Sequence, residues 1–192
     1  MRALIRAFDG WLRRRSGVFE FTDDPACLFR LQLVHAPRDV RVRGVDIPAG
    51  TPLVGLHLWN EHVPPIPPTG ADMAWGLRTY RMLARSLREV AAYLPRDPRL
   101  TDARAVWGVT VLIPLPDDPG GGGLIRRLGF EVLPYHGALG RFGEFWENFY
   151  TWWIMWTYNP ASLRGRTMAG LRRQEMWMLR EDFMRRYGGG EA

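Results

Sequence analysis

Two imidazoles, a carboxylate, a carboxamide and an indole fall within the stretch Gly55-Leu-His-Leu-Trp-Asn-Glu-His-Val-Pro64. An imidazole exchanges its proton near neutral pH, and a carboxylate within hydrogen-bond reach can orient it or stabilise its charge. His57 as general acid or base with Glu61 beside it is therefore the candidate catalytic pair, and Asn60 is a candidate ligand-binding residue. A structural role is an equal contender: a histidine in a strand is often hydrogen-bonded, and Asn-Glu ahead of prolines often forms a turn. His57 and His62 are five residues apart, no His-Glu-x-x-His helix is present, and only His35 and His136 add imidazoles. No metal centre is expected on that spacing. No cofactor is expected either. The run Pro119-Gly-Gly-Gly-Gly-Leu124 lacks the Gly-Lys-Ser/Thr ending of a phosphate loop and reads as a connector, and there is no Gly-x-Ser-x-Gly elbow.

Residues 52–59 read as the strand that carries this site. Val54, Leu56 and Leu58 alternate with Gly55, His57 and Trp59, so His57 points away from the Val/Leu face. The prolines at 64, 65, 67 and 68 cannot continue a ladder, which places Asn60 and Glu61 at a strand exit, where loops gather polar groups over a rigid edge. Further strands are expected near 27–35, 39–43, 105–114 and 129–133, the first two forming a meander with 52–59. A long helix is expected over 71–94 and a short one over 124–128. Residues 141–187 read as two helices broken at Tyr158-Asn-Pro160. The matching periodicities predict one core of Val54, Leu56, Leu58, Leu83, Leu87 and Val109 or Val111, with the helix lying on the sheet. On that helix Arg78, Arg81, Arg85 and Arg88, spaced three, four and three, line one face, and Arg78, Arg81 and Arg85 are candidate ligand-binding cations able to share a cleft with His57. A solvated basic face is the plainer alternative.

The 192 residues suit one domain, divided as an amphipathic N-terminal helix over 1–16, an α+β body over 17–187 and a tail over 188–192. The expected fold is α+β, a mixed or mostly antiparallel sheet covered by the long helix, with a C-terminal aromatic-rich helical pair. All 26 basic residues are arginine and the net charge is +6, which favours anionic partners without choosing among nucleic acid, lipid and phosphorylated sugar. Cys27 stands alone, which excludes an intramolecular disulfide, and it reads as a buried structural thiol. The first residues lack the features of a signal peptide, and the apolar run 149–158 is about half of the ~20 residues a spanning helix needs. A cytoplasmic protein is expected. The segment 142–156 holds eight large aromatics, whose default role is a core lid but which also suit a membrane interface, with Arg172, Arg173, Arg180, Arg185 and Arg186 following. Nucleic-acid binding ranks lower because no recognised motif accompanies the charge.

Four segments, Ala49-Gly-Thr-Pro-Leu-Val-Gly-Leu-His-Leu-Trp-Asn-Glu61, Ala84-Arg-Ser-Leu-Arg-Glu-Val-Ala91, Ala105-Val-Trp-Gly-Val-Thr-Val-Leu112 and Leu128-Gly-Phe-Glu-Val132, follow one another in the chain. Their order resembles the YkoP-like domain family of bacteria, over roughly residues 28–187. Members look like stand-alone proteins or appendages of polysaccharide deacetylases, which implies a cell-envelope context and no particular reaction. The metal-binding motifs of the deacetylase domain are absent here, so deacetylation is not implied. The expectation is an accessory or binding domain of envelope carbohydrate or lipid metabolism, peripheral to the inner membrane face, recognising an anionic lipid, phosphorylated saccharide or hydroxyl-rich ligand near His57. The rival is an enzyme using His57 and Glu61 on an anionic envelope precursor.

Overall fold

A computed structural model describes residues 15–67, 72–111, 122–137, 140–163, 167, 168, 171 and 173–189. Residues 1–14 of the proposed N-terminal helix and 119–121 of the glycine-rich connector lie outside the described residues, and the connector's last two residues, Gly123 and Leu124, open a short helix instead. The chain runs through β1 (Phe29–His35), β2 (Val40–Val42), β3 (Val45–Ile47), β4 (Pro52–Leu58), α1 (Met73–Tyr93), β5 (Ala105–Val111), α2 (Gly123–Arg127), β6 (Glu131–Pro134), α3 (Gly140–Tyr158), β7 (Arg173–Leu179) and α4 (Arg180–Tyr187). It is an α+β fold, as its sequence predicts.

One five-stranded sheet has the order β1-β4-β5-β7-β6. Only β4 and β5 run parallel, because α1 joins them as a crossover; the other pairs are antiparallel. α1 begins where Asp72 Oδ1 accepts the Trp75 amide at 2.7 Å, a side-chain N-cap, and it ends two residues before Pro95, whose ring resists a continued helix. Its inner residues Leu83, Leu87, Val90 and Ala91 pack on Leu31, Val54, Leu56, Val106, Met176 and Met178, and Phe183 and Tyr187 of α4 close the same core. The opposite sheet face carries a smaller core of Leu53, Ala105 and Trp177 beneath β2 and β3. These two strands form a separate hairpin, turned by Arg43 at φ 48° and Gly44 at φ 84°. Two successive positive φ values match the twist of a two-residue hairpin turn, and glycine supplies one of them without strain.

Three expectations change. The three early strands do not form a meander: β1 pairs with β4, and β2 and β3 pair with each other. The C-terminal helical pair is half right. α3 is a helix, but 173–179 is β7, which lies between β5 and β6 and leaves only α4 as a second helix. In this segment Met176, Leu179 and Phe183 satisfy helical spacing, while Glu175, Trp177 and Leu179 alternate against Met176 and Met178; pairing on both edges decided for the strand. Finally, Val54, Leu56, Leu83 and Leu87 share the core, but Leu58 is 45% exposed at the rim, and Val109 and Val111 lie on the face away from α1, where Val106 takes their place.

Candidate functional site

The strand exit at β4 is built from four segments. Arg30 of β1 stands directly across from His57 in the register and is 4% exposed. Its Nε donates to Glu20 at 3.0 Å, and its two terminal nitrogens donate to Glu61 at 3.3 and 3.5 Å. The guanidinium lies 4.3 Å from the centroid of the Trp59 ring, and that ring stacks on His62 at 3.9 Å. His62 in turn donates from Nδ1 to the Cys27 carbonyl at 2.7 Å, and the Tyr158 hydroxyl from α3 donates to Glu61 at 3.4 Å. A buried cation is costly unless paired, and Arg30 has both carboxylates and an aromatic face. Asn60 sits half-buried in the turn between Trp59 and Glu61.

His57 lies beside this cluster but is not bonded to Glu61. Its Nε2 is 2.7 Å from Gln32 Oε1, so the imidazole donates there, and the Gln32 amide donates to the Ser16 carbonyl at 2.6 Å. Burial, then the Arg30 charge, pushes the His57 pKa below its usual value. The ring is therefore neutral at pH 7. On the same sheet face, Gly55, Trp107 and Trp177 continue a cross-strand row from Gln32. Farther along, buried Glu175 accepts from Arg38 at 2.9 Å and from the Trp177 indole at 2.8 Å. Beyond it, Glu147 of α3 accepts from Arg173 and from Tyr135, whose own pKa is pushed up to about 12 by burial and by that carboxylate.

The candidate cations lie elsewhere. Because α1 packs on the Leu31/Val54/Leu56 face and His57 points to the other, the sheet stands between His57 and Arg78, Arg81 and Arg85. Arg85 is occupied by Glu89 and Asp24, while Arg78 and Arg81 are exposed. The candidate residues thus form two separate groups: His57, Asn60 and Glu61 at the strand exit, and the three arginines behind the sheet. Cys27 is fully buried, its Sγ 3.6 Å from the Phe29 carbonyl, and burial raises its pKa, as suits an inert thiol. Among the described residues no group of three or more His, Cys, Asp or Glu could hold a metal ion. A concavity of about 410 Å³ is lined by Asp39, Val40, Arg41, Asp46, Ile47 and Pro48 of the hairpin, and none of the candidate residues borders it.

Arg30, Gln32 and Glu175 are the polar residues that sequence reasoning passed over. The first two were open to it, since alternation along 29–35 places both opposite Phe29 and Leu31. Glu175 was hidden by the helical reading of β7.

The His57 environment predicts a pH signature. A histidine whose folded pKa is depressed favours the native state above its unfolded value near 6.5, and that contribution is lost as pH falls from there through the folded value. Relative to His57→Gln, the wild-type protein should lose stability on acidification below about pH 6.5, with a constant difference above pH 7. Urea titrations of both proteins across this range check it; parallel curves at every pH would place His57 in solvent-like surroundings.

Residues 22–187 match the YkoP domain. No curated protein and no solved structure gives a significant match.

Proposed function

This chain belongs to the YkoP domain family, and from that premise we propose that it is an accessory, ligand-recognising domain of cell-envelope carbohydrate or lipid metabolism, peripheral to the inner face of the membrane. The observation that carries the membrane part is the outward stripe of α3. Phe145 and Trp146 are half exposed, and their rings continue through Phe149 to Trp153 at centroid separations of 5.5, 6.0 and 5.1 Å. Water-facing indoles and phenyl rings in a contiguous line are costly unless they meet another surface, and amphipathic rings favour the headgroup level of a bilayer. No described helix is long and apolar enough to cross a membrane, which suits a peripheral contact.

The strand exit supplies the recognition chemistry. Glu61, Tyr158 and Asn60 present polar atoms at the rim, with buried Arg30 fixed behind them as the partner of Glu61, a set suited to a hydroxyl-rich ligand. Acid–base chemistry by His57 with Glu61 has less support. The imidazole is neutral and held by Gln32, while Glu61 is engaged by Arg30.

The test is vesicle co-sedimentation of the full chain. Trp146→Ala combined with Trp153→Ala should weaken binding to phosphatidylcholine vesicles at least about tenfold, since an indole contributes one of the larger apolar contacts available to a side chain. Unchanged binding by a folded double variant, or no binding by the wild type to any vesicle, would remove the membrane from this proposal.

A further inference from the structure

The basic surface behind the sheet is larger than the stripe on one helix. At about 100° per residue, Leu77, Arg78, Arg81, Arg85 and Arg88 lie within one arc of roughly 100° on the outer side of α1. Tertiary packing adds to it. α4 lies against α1, so that the Arg88 charge acts on Tyr187, and the Arg186 guanidinium lies 5.8 Å from the centroid of the Tyr187 ring. Arg186 reaches on to donate to the Arg127 carbonyl of α2 at 2.6 Å, which brings exposed Arg126 and Arg127 to the same surface. Among the described residues, Arg78, Arg81, Arg88, Arg126, Arg127 and Arg186 have no acidic partner. Three helices therefore contribute cations to this side of the molecule, where Asp24 and Glu89 engage Arg85, and Asp182 engages Arg43 and Arg185.

The same face has an apolar end. Met73 is 85% exposed and Leu77 is 48% exposed on the first turns of α1. That end adjoins the aromatic helix, for the Pro64 carbonyl accepts both from Trp75 of α1 at 3.2 Å and from Asn159 at the end of α3 at 3.4 Å. Exposed methionine and leucine beside unpaired arginines fit an interface with acyl chains and phosphate headgroups. A nucleic acid would use the charge and leave the apolar end in water.

We propose that Arg81, Arg88, Arg127 and Arg186, with Leu77 and Met73 at their edge, form a docking surface for an anionic lipid bilayer. This rests on the membrane-surface reading above and deepens it, because it names the headgroup charge as what is recognised and assigns that recognition to residues other than the aromatic stripe. Arginine suits the task, since its planar fork meets phosphate oxygens in pairs.

The experiment uses the full chain with vesicles of phosphatidylcholine alone or mixed with phosphatidylglycerol. The wild type should prefer the anionic vesicles at least about tenfold at low salt, and the preference should fade near physiological ionic strength, where the Debye length is about 8 Å. Arg81→Gln, Arg88→Gln and Arg186→Gln should each weaken anionic-vesicle binding about fivefold, and the triple variant should fall to the phosphatidylcholine level. Arg41→Gln, on the hairpin across the sheet, removes the same charge and should leave the preference intact. Should the triple variant lose its fold, Arg81→Gln with Arg88→Gln, which breaks no described hydrogen bond, carries the test. A preference that survives either variant, or equal wild-type binding to both vesicles, overturns this surface and leaves the aromatic contact standing. Failure to bind either vesicle removes both, and preference for a nucleic-acid duplex over anionic vesicles would reassign the arginines.

Discussion

Leu87→Ala should lower unfolding stability by about 2–5 kcal/mol, read from urea denaturation followed by tryptophan fluorescence. Leu87 is fully buried at the centre of α1 and packs in one cluster with Val54 and Leu56 of β4, Val106 of β5 and Met176 of β7. Truncation removes transfer free energy and opens a void that a helix pinned on both sides by Leu83 and Val90 closes poorly. The consequence reaches function, because α1 positions the arginine face on one side of β4 while the other side carries His57. A loss near zero would mean that α1 does not lie on the sheet.

Arg38→Ala should cost about 3 kcal/mol, the lower part of the range for breaking a buried ion pair. Glu175 is 1% exposed, and its carboxylate is held by Arg38 and by the Trp177 indole alone among the described residues. Removing the guanidinium strands a charge under the hairpin. The lower part of the range applies because the Arg38 side chain keeps about a third of its surface in water. Glu175→Gln in the Arg38→Ala background should restore part of the loss, since a neutral amide still accepts from Trp177 and needs no counter-ion. A cost below about 0.5 kcal/mol would class the pair with exposed surface bridges.

Local chemistry was legible wherever one segment determined it. The alternation around His57, the long helix over 73–93 and the burial of Cys27 each depend on residues within a few positions of one another. The strand at 173–179 was not legible in this way, because its hydrophobic spacing satisfies a helix and a strand alike. Its identity came from β5 and β6 on either side.

The candidate site divides along the same line. The sequence alone determined that His57 faces away from the Val/Leu side of β4 and that Asn60 and Glu61 sit beyond its end, because side chains alternate along a strand and prolines stop it. Which groups meet there was decided by the tertiary structure. Pairing of β1 with β4 set Arg30 opposite His57, and so gave Glu61 to the arginine and His57 to Gln32. Packing of α1 on the opposite face then placed the sheet between the histidine and the arginine stripe, and docking of α4 and α2 joined Arg186 and Arg127 to that stripe. Strand order and helix side are set by contacts between residues far apart in the chain, and periodicity within a segment carries no information about which partner satisfies it.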